Sequence, residues 1–205
     1  MGDMIDMKKG FYDVVAERRS FYGISKETVV SDERIKEVIN HAVKHTPSAF
    51  NSQSTRVILL LDKQHDKLWD ITKEALRKIV PFDKFSSTEE RINSFSNGYA
   101  TILFFEDNSI IKSLQEQFPL YEDNFPIWSQ QTNGMHQYVI WTSLEIEGFG
   151  VSLQHYNELI EDDVKNEWKI PNNWKLIAQM PFGKPTITPD EKKYNALEER
   201  IKVFK

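Results

Sequence analysis

Residues 44–61 read KHTPSAFNSQSTRVILLL, in which small hydroxyl and amide side chains run straight into an apolar block. From Arg56 the run RVILLLD is short, continuous and rich in branched residues, which predicts a central β-strand buried on both faces. The polar stretch ahead of it has two readings. Thr46, Pro47 and Asn51 suit the end of a helix and a turn. Ser48, Asn51, Ser52 and Gln53 also both donate and accept hydrogen bonds, as the edge of a planar heteroaromatic ring requires.

Outward from this stretch the periodicities define a fold class. Upstream, SDERIKEVINHAVKH places Ile35, Val38, Ile39, Ala42 and Val43 at helical spacing, with Ser31 as N-cap and acids in the first turn. Before it, GFYDVVAERRS forms a shorter helix with Phe11, Val14 and Val15 on one face and two arginines at its end. Downstream, ATILFFED from Ala100 has the character of a second fully buried strand. DKLWDITKEALRKIV and STEERINSFS lie between the two strands with helical period, and Pro81 stops the first of them. Residues 134–146 carry apolar side chains around nearly the whole helical circumference, so this helix is either central or packs its own core on one side and a partner subunit on the other; the second is the expectation. VSLQHY reads as a strand or extended turn, ELIEDDVKNEW as a polar helix and WKLIAQMPFG as a last core strand. The tail from Lys184 ends in alternating RIKVFK and has little to bury itself against locally.

Composition excludes several chemistries. At 205 residues with no composition break, the chain reads as one domain spanning 1–205. A net charge of -5 argues against a phosphate-backbone partner. The absence of cysteine removes thiol chemistry and disulfides, so any redox work falls to a cofactor. The start MGDMIDMKKGFYDVV has no long apolar region and no stretch is long enough to span a membrane, which leads to the expectation of a cytoplasmic protein. No P-loop motif occurs, and Gly148 and Gly150 lack the third glycine and the context of a dinucleotide cradle. His41 and His45 stand i, i+4 without a third ligand, so solvated helix histidines are preferred to a metal site. No nucleophile elbow is present, and no acid or base is singled out as catalytic.

Three polar clusters remain, each at the end of a predicted core element. Arg18, Arg19 and Ser20 offer forked, charge-assisted donors and a short hydroxyl, which suit a phosphate; an exposed helix end is the alternative. The second cluster is the 48–53 segment. The third is Lys184, Lys192 and Lys193, either point charges for the same phosphate or a solvated tail.

RRS near the start, PSAFNSQ before an apolar strand and a late glycine segment with a lysine-bearing tail resemble, in this order, the nitroreductase family of FMN-dependent oxidoreductases. GVSLQHYN, MPFGKP and ALEERIKVF are similar to its subgroup of small fungal and bacterial fatty-acid-repression-like proteins. Many relatives carry Pro-Trp after NSQ, where this chain has Ser54 and Thr55. The resemblance implies an α+β fold: a central, mostly antiparallel sheet of four or five strands flanked by helices, in an intertwined homodimer whose tail, about 184–205, wraps the partner. It further implies that Arg18, Arg19 and Ser20 hold the FMN phosphate and ribityl chain, with Lys192 preferred to Lys184 as the lysine partner. Asn51 and Gln53 would meet polar atoms of the flavin or ribityl chain, Ser48 would contribute from across the dimer, and Ser152, Leu153, Gln154 and His155 would lie beside the ring. The implied activity is NAD(P)H oxidation with ping-pong hydride transfer through flavin to nitroaromatics, quinones or similar acceptors, with NADH or NADPH as transient donor. The alternative is a flavin-binding redox or lipid-responsive regulatory protein with little turnover.

Overall fold

The structure, a computed structural model, describes residues 10–205. Residues 1–9, on which the expectation about the N-terminal segment partly rests, lie outside that range. A five-stranded antiparallel sheet runs β1 (Ile24–Ser25), β5 (Trp174–Pro185), β3 (Ala100–Asp107), β2 (Thr55–Leu61), and β4 (Gly150–Val151) also pairs with β5. Helices cover both faces, so the expected α+β class is what the chain adopts.

The twofold period of β3 builds two cores at once. Ala100, Ile102 and Phe104 face a core with Ile35, Val38, Ile39 and Ala42 of α2 (Asp32–His45) and with Ile140 and Leu144 of α6 (Asn124–Ile146). Leu103 and Phe105 face a second core built on α3 (Asp62–Arg77), α4 (Phe85–Ser96) and α7 (Asn157–Trp168). Every residue of β3 is buried, as its composition demands. On α2 the Ser31 hydroxyl accepts the Arg34 amide at 3.3 Å, and Asp32 and Glu33 sit in the first turn, the expected cap.

The expectation for β2 needs correction. It is the edge strand of the sheet among the described residues, and Arg56, Val57, Ile58 and Leu59 are only partly buried. A run of branched residues specifies a strand, but its place in the order depends on which strands pair, and both flanks of β3 are taken by β2 and β5. The helix α1 (Phe11–Glu17) also departs from expectation: it buries Val14 alone, leaving Phe11 and Val15 on the surface. No expectation covered α5 (Asn108–Gln117), which starts at once where β3 ends, with Asp107 accepting the Ser109 amide at 3.1 Å.

Helix α6 is longer than its apolar half suggests, reaching back to Asn124 with Pro126 in the first turn, where no intrahelical amide is needed. Its buried side is mixed: Ser129, Thr132, Asn133, His136 and Gln137 are buried along with Phe125, Ile140 and Leu144, whereas Ile127, Met135, Tyr138 and Ile146 are exposed. At the other end of the sheet Gly183 lets backbones meet, since a Cβ there would lie 2.2 Å from the Ser25 carbonyl oxygen. This contact seats β1 beside β5 and directs the tail past Gly23, whose carbonyl accepts the Thr186 amide at 2.9 Å.

Candidate functional site

The tail's path creates a cleft of about 610 Å³ between the segment after α1 and residues 187–192. Arg18, Arg19, Ser20 and Lys192 all line it, although the first three and the last are separated by most of the chain. The Arg19 guanidinium donates to the Asp190 carbonyl, and Lys192 Nζ lies 5.4 Å from the Tyr194 ring centroid. Asp190 is the one acid lining the cleft among the described residues. Two guanidiniums, an ammonium and a hydroxyl form a donor set suited to a phosphoryl group.

Behind this segment sits a smaller cavity of about 150 Å³, lined in part by Glu17, Arg18, Phe21 and Glu145. Glu145 Oε2 accepts the Arg19 backbone amide at 3.1 Å, and Oε1 accepts the Trp141 indole N–H at 2.6 Å. The Arg18 guanidinium lies over the same indole, 4.5 Å from its centroid. Burial raises the Glu145 carboxyl to about 7, against the opposing pull of the Trp141 and Arg19 donors and of the two arginine charges. A folded-state value above the unfolded one favours the protonated form, so this group's contribution to stability is complete below about pH 4.5 and is lost as pH rises through about 7. Because the group is partly solvated, the loss is put at about 1–2 kcal/mol rather than the full linkage value. Urea unfolding between pH 4.5 and 8 should therefore show a flatter profile in Glu145→Gln than in the wild type.

The 48–53 segment is a 3-10 turn, Ala49–Asn51, followed by an irregular link into β2. Phe50, Asn51 and Gln53 all have positive φ, a conformation side chains rarely adopt unless their surroundings enforce it. Ser48 Oγ accepts the Gln53 amide at 3.0 Å, so that hydroxyl closes the turn, while the Asn51 and Gln53 side chains remain exposed. The anchor is Glu106 on β3, wholly buried, which accepts the Ser54 and Thr55 hydroxyls at 2.6 Å each and the Asn133 amide at 2.8 Å. Asn133 in turn accepts from Gln137 at 2.6 Å. This network accounts for the burial of Asn133 and Gln137 on α6. Phe50 packs on Phe118, Phe125 and Trp128, with ring centroids 4.9, 5.3 and 6.1 Å away.

In the late segment, Ser152 is fully buried and Gln154 nearly so, and their amides are spent on the Pro181 and Gln179 carbonyls at 3.2 and 2.7 Å. Gln154 Nε2 donates to Ser152 Oγ at 3.1 Å. Leu153 is half-buried and His155 exposed. Lys184 does not line the cleft; it pairs with Glu27 at 2.7 Å. The chain thus unites the first cluster with Lys192, while Ser48, Asn51, Gln53 and the 152–155 segment line other surfaces. The sequence reading passed over Glu145, Trp141 and Glu106. A signal existed for the first two, an acid four residues after an aromatic on an otherwise apolar helix turn; Glu106 looked like the polar end of a strand.

The nitroreductase family profile matches residues 15–184. HBN1 of Saccharomyces cerevisiae is 30% identical over 196 residues, covering 95% of this chain and 96% of its own. The nitroreductase FRM2 of the same yeast is 29% identical, covering 90% and 92%. Nitroreductase CinD from Lactococcus lactis, solved with chloramphenicol, superposes with a TM-score of 0.88 at 38% identity, over 96% of this chain and all of that one. The chain belongs to the nitroreductase family.

Proposed function

We propose that this chain is an FMN-dependent NAD(P)H oxidoreductase of the cytoplasm that reduces nitroaromatics, quinones or similarly electron-poor acceptors by a ping-pong cycle. The observation that carries the reading is the gathering of Arg18, Arg19, Ser20 and Lys192 around one cleft. That donor set fits the phosphate of FMN, with Arg18 and Arg19 as forked donors, Ser20 as a short neutral one and Lys192 as a point charge. Membership of the nitroreductase family supports it, as do ligands held by CinD, which has been solved with chloramphenicol and with 4-nitrophenol. CinD has also been solved with nicotinic acid, a pyridine related to the nicotinamide of the donor.

When bound, FMN supplies the ring that takes a hydride from NADH or NADPH and passes electrons to the acceptor in a second half-reaction. The chain's residues bind and orient. Asn51 and Gln53, exposed on a turn fixed from below by Glu106, present amides to the polar atoms of the cofactor, and Ser48 contributes from across a homodimer. Leu153 and His155 of the late segment flank the ring, with Ser152 and Gln154 holding that segment to β5. No side chain acts as general acid or base.

The dimer accounts for surfaces that the single chain leaves open. These are the apolar outer face of α6, the free edge of β2 and the tail from 184 to 205, whose Leu197, Ile201, Val203 and Phe204 are exposed. In this reading the tail of each protomer wraps the other. One sample tests the whole proposal. Purified protein should be yellow, sediment as a dimer, and bleach on anaerobic addition of NADPH or NADH, with colour returning on addition of 4-nitrophenol or a quinone. A colourless protein that refuses FMN would refute it; tight flavin with very slow bleaching would favour a regulatory role.

A further inference from the structure

Glu145 is half-buried and accepts two hydrogen bonds, and both donors belong to the phosphate-facing segment or its support. The Arg19 amide fixes the backbone where the chain leaves α1. The Trp141 indole, turned by its bond to the same carboxyl, is the surface on which the Arg18 guanidinium rests. Three groups on two distant segments are thereby set by one side chain of α6. Arginine donors bind a tetrahedral anion well only when their planes are fixed beforehand, because ordering a free side chain at the moment of binding weakens the complex.

We infer that Glu145 is a positioning residue for the cofactor phosphate: with Trp141 it holds Arg18 and the Arg19 backbone in the arrangement that grips the anion. The inference rests on the FMN reading above. It also opposes what charge alone requires. Glu145 faces Arg18 and Arg19, so replacing it with a neutral group would raise the positive potential of the cleft and tighten phosphate binding. Positioning demands the reverse. The Arg19 and Trp141 N–H groups meet different oxygens of the carboxylate, so a glutamine in the same place turns its amide nitrogen toward one of them, and either Arg19 or Trp141 loses its acceptor.

The test compares FMN with riboflavin, which lacks the phosphate, by fluorescence titration of the apoprotein of wild type, Glu145→Gln and Trp141→Phe. At pH 8, above the Glu145 value of about 7, Glu145→Gln should bind FMN roughly tenfold more weakly and riboflavin unchanged, one hydrogen bond to a charged group being worth about one decade. Trp141→Phe leaves a smaller aromatic ring under Arg18 and removes the indole donor, so it should lose about threefold for FMN alone. If Glu145→Gln does not fold, the selective loss for FMN over riboflavin in Trp141→Phe decides the inference, and equal affinity for FMN in that variant and the wild type overturns it. FMN affinity unchanged or tightened in a folded Glu145→Gln overturns the inference in favour of simple charge, and equal losses for FMN and riboflavin overturn it in favour of a general structural role. A wild type that fails to prefer FMN over riboflavin overturns the underlying reading instead.

Discussion

Arg18→Ala combined with Lys192→Ala should lower FMN affinity by about 100-fold and leave riboflavin affinity within about threefold of wild type. Each side chain supplies a charged donor to the same cleft from opposite ends of the sequence. A hydrogen bond to a charged group contributes about 1.5–3 kcal/mol. The cleft is open to solvent, so the lower figure applies, and two such losses sum to about 3 kcal/mol, or roughly two decades. Arg19 and Ser20 remain, which is why binding is weakened rather than abolished. Flavin fluorescence quenching at fixed ionic strength measures it. A double variant that binds FMN as wild type does would remove the phosphate assignment altogether.

Glu106→Leu should destabilise the fold by about 3 kcal/mol, a large share of the stability of an ordinary domain. Leucine matches the site in size and has no acceptor, so the hydroxyls of Ser54 and Thr55 and one proton of the Asn133 amide lose their partner inside a dry region. Each orphaned buried donor costs about 1–3 kcal/mol, offset in part because the carboxyl no longer has to be desolvated. At about 2–4 °C per kcal/mol for a chain of this size, the melting temperature should fall by roughly 6–12 °C. Calorimetry on the apoprotein reads this without any assumption about the cofactor. A drop under about 2 °C would show that the hydroxyls rotate to other acceptors and that the network is not the anchor. The variant has a functional corollary, because Ser54 directly follows Gln53 and the positive-φ turn is pinned through it.

The hydroxyls of Ser54 and Thr55, which follow NSQ, are the groups that reach Glu106. The hydroxyls were visible in the sequence; their partner was not, since Glu106 is about fifty residues away and only the pairing of Thr55 with Glu106 across β2 and β3 brings them together.

Legibility followed the range of the interaction. The helical spacing of Ile35, Val38, Ile39 and Ala42 with its serine cap, the buried run of β3 and the polar composition of α7 are local patterns, and each element formed where the residues placed it. Local patterns failed where partners decide. Strand β2 has the composition of a central strand and lies at an edge, and α6 buries Ser129, Thr132, Asn133, His136 and Gln137 beside Phe125, Ile140 and Leu144, a polar content its apolar half did not announce. Helix α5 escaped notice because it begins without a break after β3.

The chain's residues alone pointed to most of the elements, though not to α5 or the first half of α6, to a resemblance to the nitroreductases and to the side chains with the chemistry to grip a phosphate, because periodicity, capping and donor type are properties of neighbours in sequence. The preference for Lys192 over Lys184 came with the family resemblance; the tertiary structure brings Lys192 to the cleft and pairs Lys184 with Glu27, and only it revealed Glu145 behind the arginines. The physical reason is that burial and pairing are set by contacts between residues more than a hundred positions apart, such as Arg19 with Glu145 and Glu27 with Lys184, and these leave no periodic trace in the chain.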